Sequence, residues 1–104
     1  MGAVSIFTLF GRLMEMPQHV FTIWGNDSYN ASLKMDNGHE LSFGWGPTHY
    51  ANTRGETGTE LDLLYRALEI EVAIIPAGYN RISEVRGWQD AAQIGDLIDD
   101  LESE

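Results

Sequence analysis

The tripeptide Asp36-Asn37-Gly38 stands between two runs that alternate apolar with polar residues, and the way it joins them constrains the fold more than any other stretch. A two-residue Asn37-Gly38 turn would set Leu33 opposite Ser42 and Lys34 opposite Leu41, which mixes the faces of the sheet. A three-residue loop with Gly38 in the left-handed conformation instead pairs Leu33 with Leu41, Ala31 with Phe43 and Tyr29 with Trp45. The other face then pairs Lys34 with Glu40 and Ser32 with Ser42, as a solvated face should. Residues 19–45 therefore read as an antiparallel meander with a three-residue loop. VFTIW, Val20 to Trp24, is its first strand, joined to the next through Gly25-Asn26-Asp27.

Helical patterns flank the meander. In SIFTLFGRLMEM, Ile6, Leu9, Phe10 and Leu13 have helical spacing, while SIFTLF alone would suit a strand; the helix is the preferred reading, and Pro17 closes it. A helix is expected from about Thr59, with Leu61, Leu64, Leu68 and Val72 as the stripe facing the sheet and Thr57 and Glu60 spaced as a capping box. EIEVAII equally fits a strand, because Ile70, Val72 and Ile74 alternate with Glu71 and Ala73. A last helix is expected from about Trp88 to Leu101, with Ala91, Ile94, Ile98 and Leu101 inward and Asp90, Asp96, Asp99 and Asp100 outward. YNRISEVRG before it is a candidate strand. The pattern predicts one α+β domain over residues 1–104: an antiparallel meander of three or more strands packed by two helices, with an acidic C-terminal helix.

Composition narrows the chemistry. A chain of 104 residues with 43% apolar and 11% aromatic content can build one core, and such a chain buries roughly 65% of its unfolded surface. No cysteine is present, so disulfides, thiolate nucleophiles and cysteine-bound zinc are excluded and a reducing cytoplasm is suitable. AVSIFTLF, Ala3 to Phe10, is too short to span a bilayer and lacks the flanks of a secretory signal. MGAVSI has Ile6 where a myristoylation signal needs serine or threonine. The glycosylation patterns at Asn26 and Asn30 read as chance without a secretory signal. A cytoplasmic location is expected, and no membrane partner.

Charge is distributed unevenly. Residues 1–55 carry four acids and three bases, a net of −1, while the remainder carries twelve acids against Arg66, Arg81 and Arg86, a net of −9. Six acids and no base follow from Asp90 onward. Such a field repels nucleic acid and anionic membrane and favours a basic protein surface or cations.

Four stretches are candidate sites. NTRGETGTELD, Asn52 to Asp62, has glycines before a helix start, as a phosphate cradle requires. It has no lysine and no Walker spacing, and Glu56, Glu60 and Asp62 crowd the helix start, where they complement its dipole and oppose an anion. It reads as a helix cap. His19, His39 and His49 lack the HxxxH or HxH spacing of a shared metal face, and His39 closes the apolar face next to Met35; no metal or cofactor is expected. The long loop from Gly46 to Gly58 offers His49, Tyr50, Asn52 and Arg54, residue types that anchor partners, or serves as a crossover whose Tyr50 covers the core. In DLIDDLESE, from Asp96 onward, the acids are not interleaved with bases for i, i+4 pairing, and they add to Glu69, Glu71 and Glu84. Asp90, Asp96, Asp99, Asp100 and Glu102, with those three, form the candidate partner-binding set; the plain alternative is a solvated face that aids solubility.

A small cysteine-free chain with a short meander, flanking helices and the acids Asp90, Asp96, Asp99, Asp100, Glu102 and Glu104 resembles the phage-encoded inhibitors of bacterial defence, anti-CRISPR proteins and DNA mimics among them. The resemblance is one of character in the second half of the chain and carries no motif. It implies a non-catalytic inhibitor, acting in the host cytoplasm, that docks its acidic face on a basic, nucleic-acid-handling protein complex without binding nucleic acid itself. Two other readings fit the sequence: an immunity-type protein that neutralises a basic toxin, and a small ligand-binding domain or enzyme working through the loop 46–58. A structural part in a larger assembly would be marked by an exposed Trp24 or Trp88.

Overall fold

The computed structural model describes residues 5–16, 19–23 and 29–104. It has helix α1 (Ile6–Met14), strands β1 (Val20–Ile23), β2 (Asn30–Lys34) and β3 (Glu40–Gly44), helix α2 (Glu60–Arg66), strands β4 (Ile70–Ile75) and β5 (Glu84–Gln89), and helix α3 (Ala91–Glu102). The five strands form one antiparallel sheet in the order β1-β2-β3-β4-β5. The expected α+β class holds: among the described residues the antiparallel meander of three or more strands has five, and helices form at the first segment, after the long loop and at the last segment, as the helical spacing suggests.

The three-residue loop sets the register as the alternation requires. Leu33 pairs with Leu41, Ala31 with Phe43, Ser32 with Ser42 and Lys34 with Glu40, and Gly38 has a φ of +95°. Trp45 extends the pairing by donating its backbone N–H to Tyr29 O at 3.1 Å. The apolar face so defined joins Ile70, Val72 and Ile74 of β4 and the buried residues of all three helices in a single core. Phe10 of α1 is central to it, with ring centroids 4.9 Å from Phe21, 5.2 Å from Phe43 and 5.8 Å from Trp45. The buried Trp45 indole stays satisfied by donating to Glu60 O at 3.0 Å.

α1 forms where helical spacing competed with a strand pattern, because Ser5 caps it by accepting from Thr8 N at 3.1 Å. Pro17, Trp24 and the Gly25-Asn26-Asp27 connection lie outside the described residues. α2 departs from the expected helix in three ways. Its cap is Thr59, which accepts from Asp62 N at 3.2 Å, and not Thr57. Leu61 and Leu68 are exposed while Leu63 and Leu64 are buried, so the expected stripe is displaced. The helix ends at Arg66, and Val72 belongs to β4. The stop comes from Asn52, whose Oδ1 accepts from Leu68 N at 2.8 Å and Glu69 N at 3.2 Å while its Nδ2 donates to Arg66 O at 3.2 Å. The alternative reading of EIEVAII as a strand is met as β4; the candidate strand YNRISEVRG is met only in its second half, since β5 begins at Glu84 and runs on to Gln89. The last helix begins at Ala91 rather than Trp88, which lies in β5.

Candidate functional site

α3 is built as its sequence dictates. Asp90 caps it, accepting from Gln93 N at 2.8 Å, and Gln93 Oε1 accepts from Asp90 N at 2.9 Å, a complete capping box. Ala91, Ile94, Leu97, Ile98 and Leu101 are buried. Asp96, Asp99 and Asp100 are exposed, as expected, and among the described residues none of them has a side-chain partner.

Beyond the capping Asp90, the charges of α3 lie toward the end its backbone disfavours. The helix has no acid in its first turn and no base in its last. Asp99, Asp100 and Glu102 instead lie at the end where the peptide dipoles already concentrate negative charge, and Asp96 is three and four residues from Asp99 and Asp100. Other groups secure this end: His19 Nε2 meets Glu102 Oε1 at 2.6 Å, Asn37 Nδ2 donates to Leu101 O at 2.8 Å, and Ser103 Oγ donates to Asp100 O at 2.9 Å.

Between the end of α3 and β5 runs a cleft of about 360 Å³. Cross-strand pairing of Glu84 with Ile74 and of Arg86 with Val72 turns both charged side chains to the helix side of the sheet, where they line this cleft. Glu84 and Arg86 form an ion pair with each other. Asp100 and Glu104 line the opposite wall, and Glu104 Oε1 is 3.8 Å from His39 Nε2. Ile74, Leu97 and Leu101 supply apolar lining.

The eight acids grouped by sequence do not form one surface. Asp96, Asp99, Asp100 and Glu84 lie on or beside α3 and its cleft. Glu102 is held by the buried His19, and Asp90 is held as a cap. Glu71 is on the opposite face of the sheet, under the loop 46–58, where Oε1 lies 3.3 Å from His49 Nδ1 and Oε2 accepts from Tyr50 N at 3.1 Å. Glu69 joins the same loop through its backbone, its carbonyl accepting from Asn52 N at 3.1 Å.

The loop residues are likewise engaged. His49 packs against Gly44 and Tyr50 against Gly87, so closely that a Cβ at either glycine would collide with them. Arg54 donates to Thr48 O at 3.3 Å and its guanidinium lies 4.9 Å from the centroid of the Tyr50 ring. Thr53, fully buried, accepts from Gly46 N at 2.8 Å. At the glycine-rich start of α2, Asp62 N donates to the capping Thr59 Oγ1 at 3.2 Å and Arg66 Nη1 donates to Glu56 Oε1 at 2.9 Å, so a helix-start N–H and the nearby guanidinium, donors a phosphate would need, are engaged within the chain. The three histidines are apart, each facing its own acid, and the described residues contain no group of three or more potential metal ligands. No helix among them is long and apolar enough to cross a membrane.

Two features were not visible in the sequence reading. Arg86 and His39 share a cleft with Glu84, Asp100 and Glu104, which follows only once β4 and β5 are paired in register. Trp88 is 47% exposed and has a φ of +56°, at a bulge where the β4–β5 register shifts. Comparison with family models, with curated proteins and with solved structures finds no match to this chain.

Proposed function

We propose that this is a non-catalytic binding protein whose acidic α3 face docks on a basic surface of a nucleic-acid-handling protein complex and inhibits it, in the manner of an anti-CRISPR protein or a DNA mimic. One observation carries the reading: Asp96, Asp99 and Asp100 are exposed and unpartnered among the described residues, Asp99 and Asp100 lie in the last turn of α3, which disfavours them, and Asp96 lies one turn before as a like-charge neighbour. Each carboxylate near the C-terminus of a helix costs about 0.3–1 kcal/mol relative to a cation there. Solubility alone needs no such placement, since the same charge at the first turn of α3 would stabilise the helix. A partner that supplies lysines and arginines would compensate it. The working set narrows to Asp96, Asp99 and Asp100, because Glu71, Glu84, Glu102 and Asp90 already hold internal contacts and Glu69 sits with the loop.

The loop 46–58 is the weaker candidate. His49 and Asn52 are occupied in fastening it to the sheet and to the end of α2, and Arg54 is engaged within the loop by Thr48 and Tyr50. An immunity-type role against a basic toxin would use the same α3 face and differs only in the partner's identity. The test is capture of partners from bacterial lysate by the tagged chain and by D96K/D99K/D100K. A nucleic-acid-binding complex held by the former and lost by the latter supports the proposal. The same partners with both chains, or none with either, defeats it.

A further inference from the structure

β5 is the outermost strand of the sheet, and among the described residues its one strand neighbour is β4. An open edge presents backbone N–H and C=O groups to any extended chain that lies alongside. The far end of this edge is covered by the protein itself. Trp88 donates its backbone N–H to Tyr50 O at 2.9 Å, and Gln89 Nε2 donates to Gly87 O at 3.1 Å. Glu84, Val85 and Arg86 have no such cover among the described residues, and all three are exposed.

The cleft lies directly behind this stretch. Side chains of an added strand would alternate between the helix side, beside Glu84 and Arg86, and the opposite side, beside Val85. On the helix side Glu84 and Arg86 compensate each other, which leaves Asp100 without a partner and Glu104 with only His39 at 3.8 Å. The apolar floor of Ile74, Leu97 and Leu101 suits the aliphatic stem of a lysine or arginine whose head reaches those carboxylates. Val85, 50% exposed, and Trp88 just beyond it offer an apolar contact to the intervening residues.

We propose that the β5 edge takes up an extended basic segment of the partner protein by strand addition, with lysine or arginine side chains at alternate positions entering the cleft between β5 and α3. The proposal rests on the docking reading above and supplies its mode of attachment. A second copy of this chain is the competing occupant, since antiparallel pairing centred on Val85 would set each Glu84 against the other's Arg86. Charge decides between them: each copy carries a net −10, so two copies repel whereas a basic segment is drawn in.

The probe is a short labelled peptide of alternating valine and arginine, made also with every arginine or every valine N-methylated. Alternate N–H groups of a strand point to opposite edges, so strand addition loses at least tenfold in affinity with one methylated form and not with the other. Attraction by charge alone treats both forms alike. D100K/E104K is expected to weaken the unmodified peptide at least tenfold, while E15K/D62K, the same charge change away from the cleft, stays within about threefold of the original chain. Equal behaviour of the two methylated peptides, equal loss in the two variants, absence of binding at about 1 mM peptide, or self-association of the chain that the peptide does not displace each overturns the proposal. If the pull-down still depends on Asp96, Asp99 and Asp100 while this assay fails, the edge mode falls and the docking reading stands.

Discussion

Gly44 and Gly87 show what the loop 46–58 demands of single residues. A Cβ on Gly44 would stand 2.3 Å from His49 Nδ1, and one on Gly87 would stand 2.8 Å from Tyr50 Cβ. Gly44→Ala should therefore lift the loop or push aside an imidazole that faces Glu71, at a cost of about 1–3 kcal/mol in urea unfolding. The cost should shrink in a His49→Ala background, because the clash and the residue causing it are then removed together; an undiminished cost would show that backbone strain, not His49, sets it. Asn52→Ala should lose about 1–2 kcal/mol, since its amide ends α2 with three hydrogen bonds. In the sequence Asn52 reads as a polar anchor for a partner. Its true contacts lie 14 to 17 residues further on, a distance at which residue type says nothing about geometry.

At the scale of elements, the hairpin was legible because its two faces differ in polarity, so only one loop length satisfies both. α2 was not. Leu61 and Leu68 have the spacing of a buried stripe, but both are exposed, and Tyr65 between them packs outward against Phe7 at 5.2 Å. Helical periodicity identifies a stripe without saying which side of a short helix the core occupies, and the nearby switch to a strand moved Val72 to another element. α3 was legible on its inward side, where apolar spacing and burial agree. Asp90→Ala, which removes its capping box, should cost about 1 kcal/mol. D96K/D99K/D100K should keep the fold and raise the thermal midpoint, because it removes like-charge neighbours and puts cations toward the C-terminal end of the helix. A fall of several degrees would mean that the carboxylates support the fold and would remove the main argument for a docking role.

Over the whole molecule, a net charge of −10 is concentrated in the second half of the chain, and folding divides those acids between the α3 side and the loop side of the sheet. The asymmetry was visible in the sequence; the division was not, because it depends on strand parity in β4, where Glu71 points away from the helices. The proposed docking surface would act over a Debye length, about 10 Å at 0.1 M salt and about 3 Å at 1 M. Partner capture should accordingly weaken steeply as salt rises, chiefly through slower association. The most direct measurement is to load the tagged chain and its D96K/D99K/D100K variant with lysate freed of nucleic acid, then elute with duplex DNA. The expected result is a basic, nucleic-acid-handling complex that the original chain holds and DNA displaces, and that the folded variant never captures. A partner retained equally by the variant, or one that DNA does not displace, would contradict the claim that the α3 carboxylates occupy a nucleic-acid site.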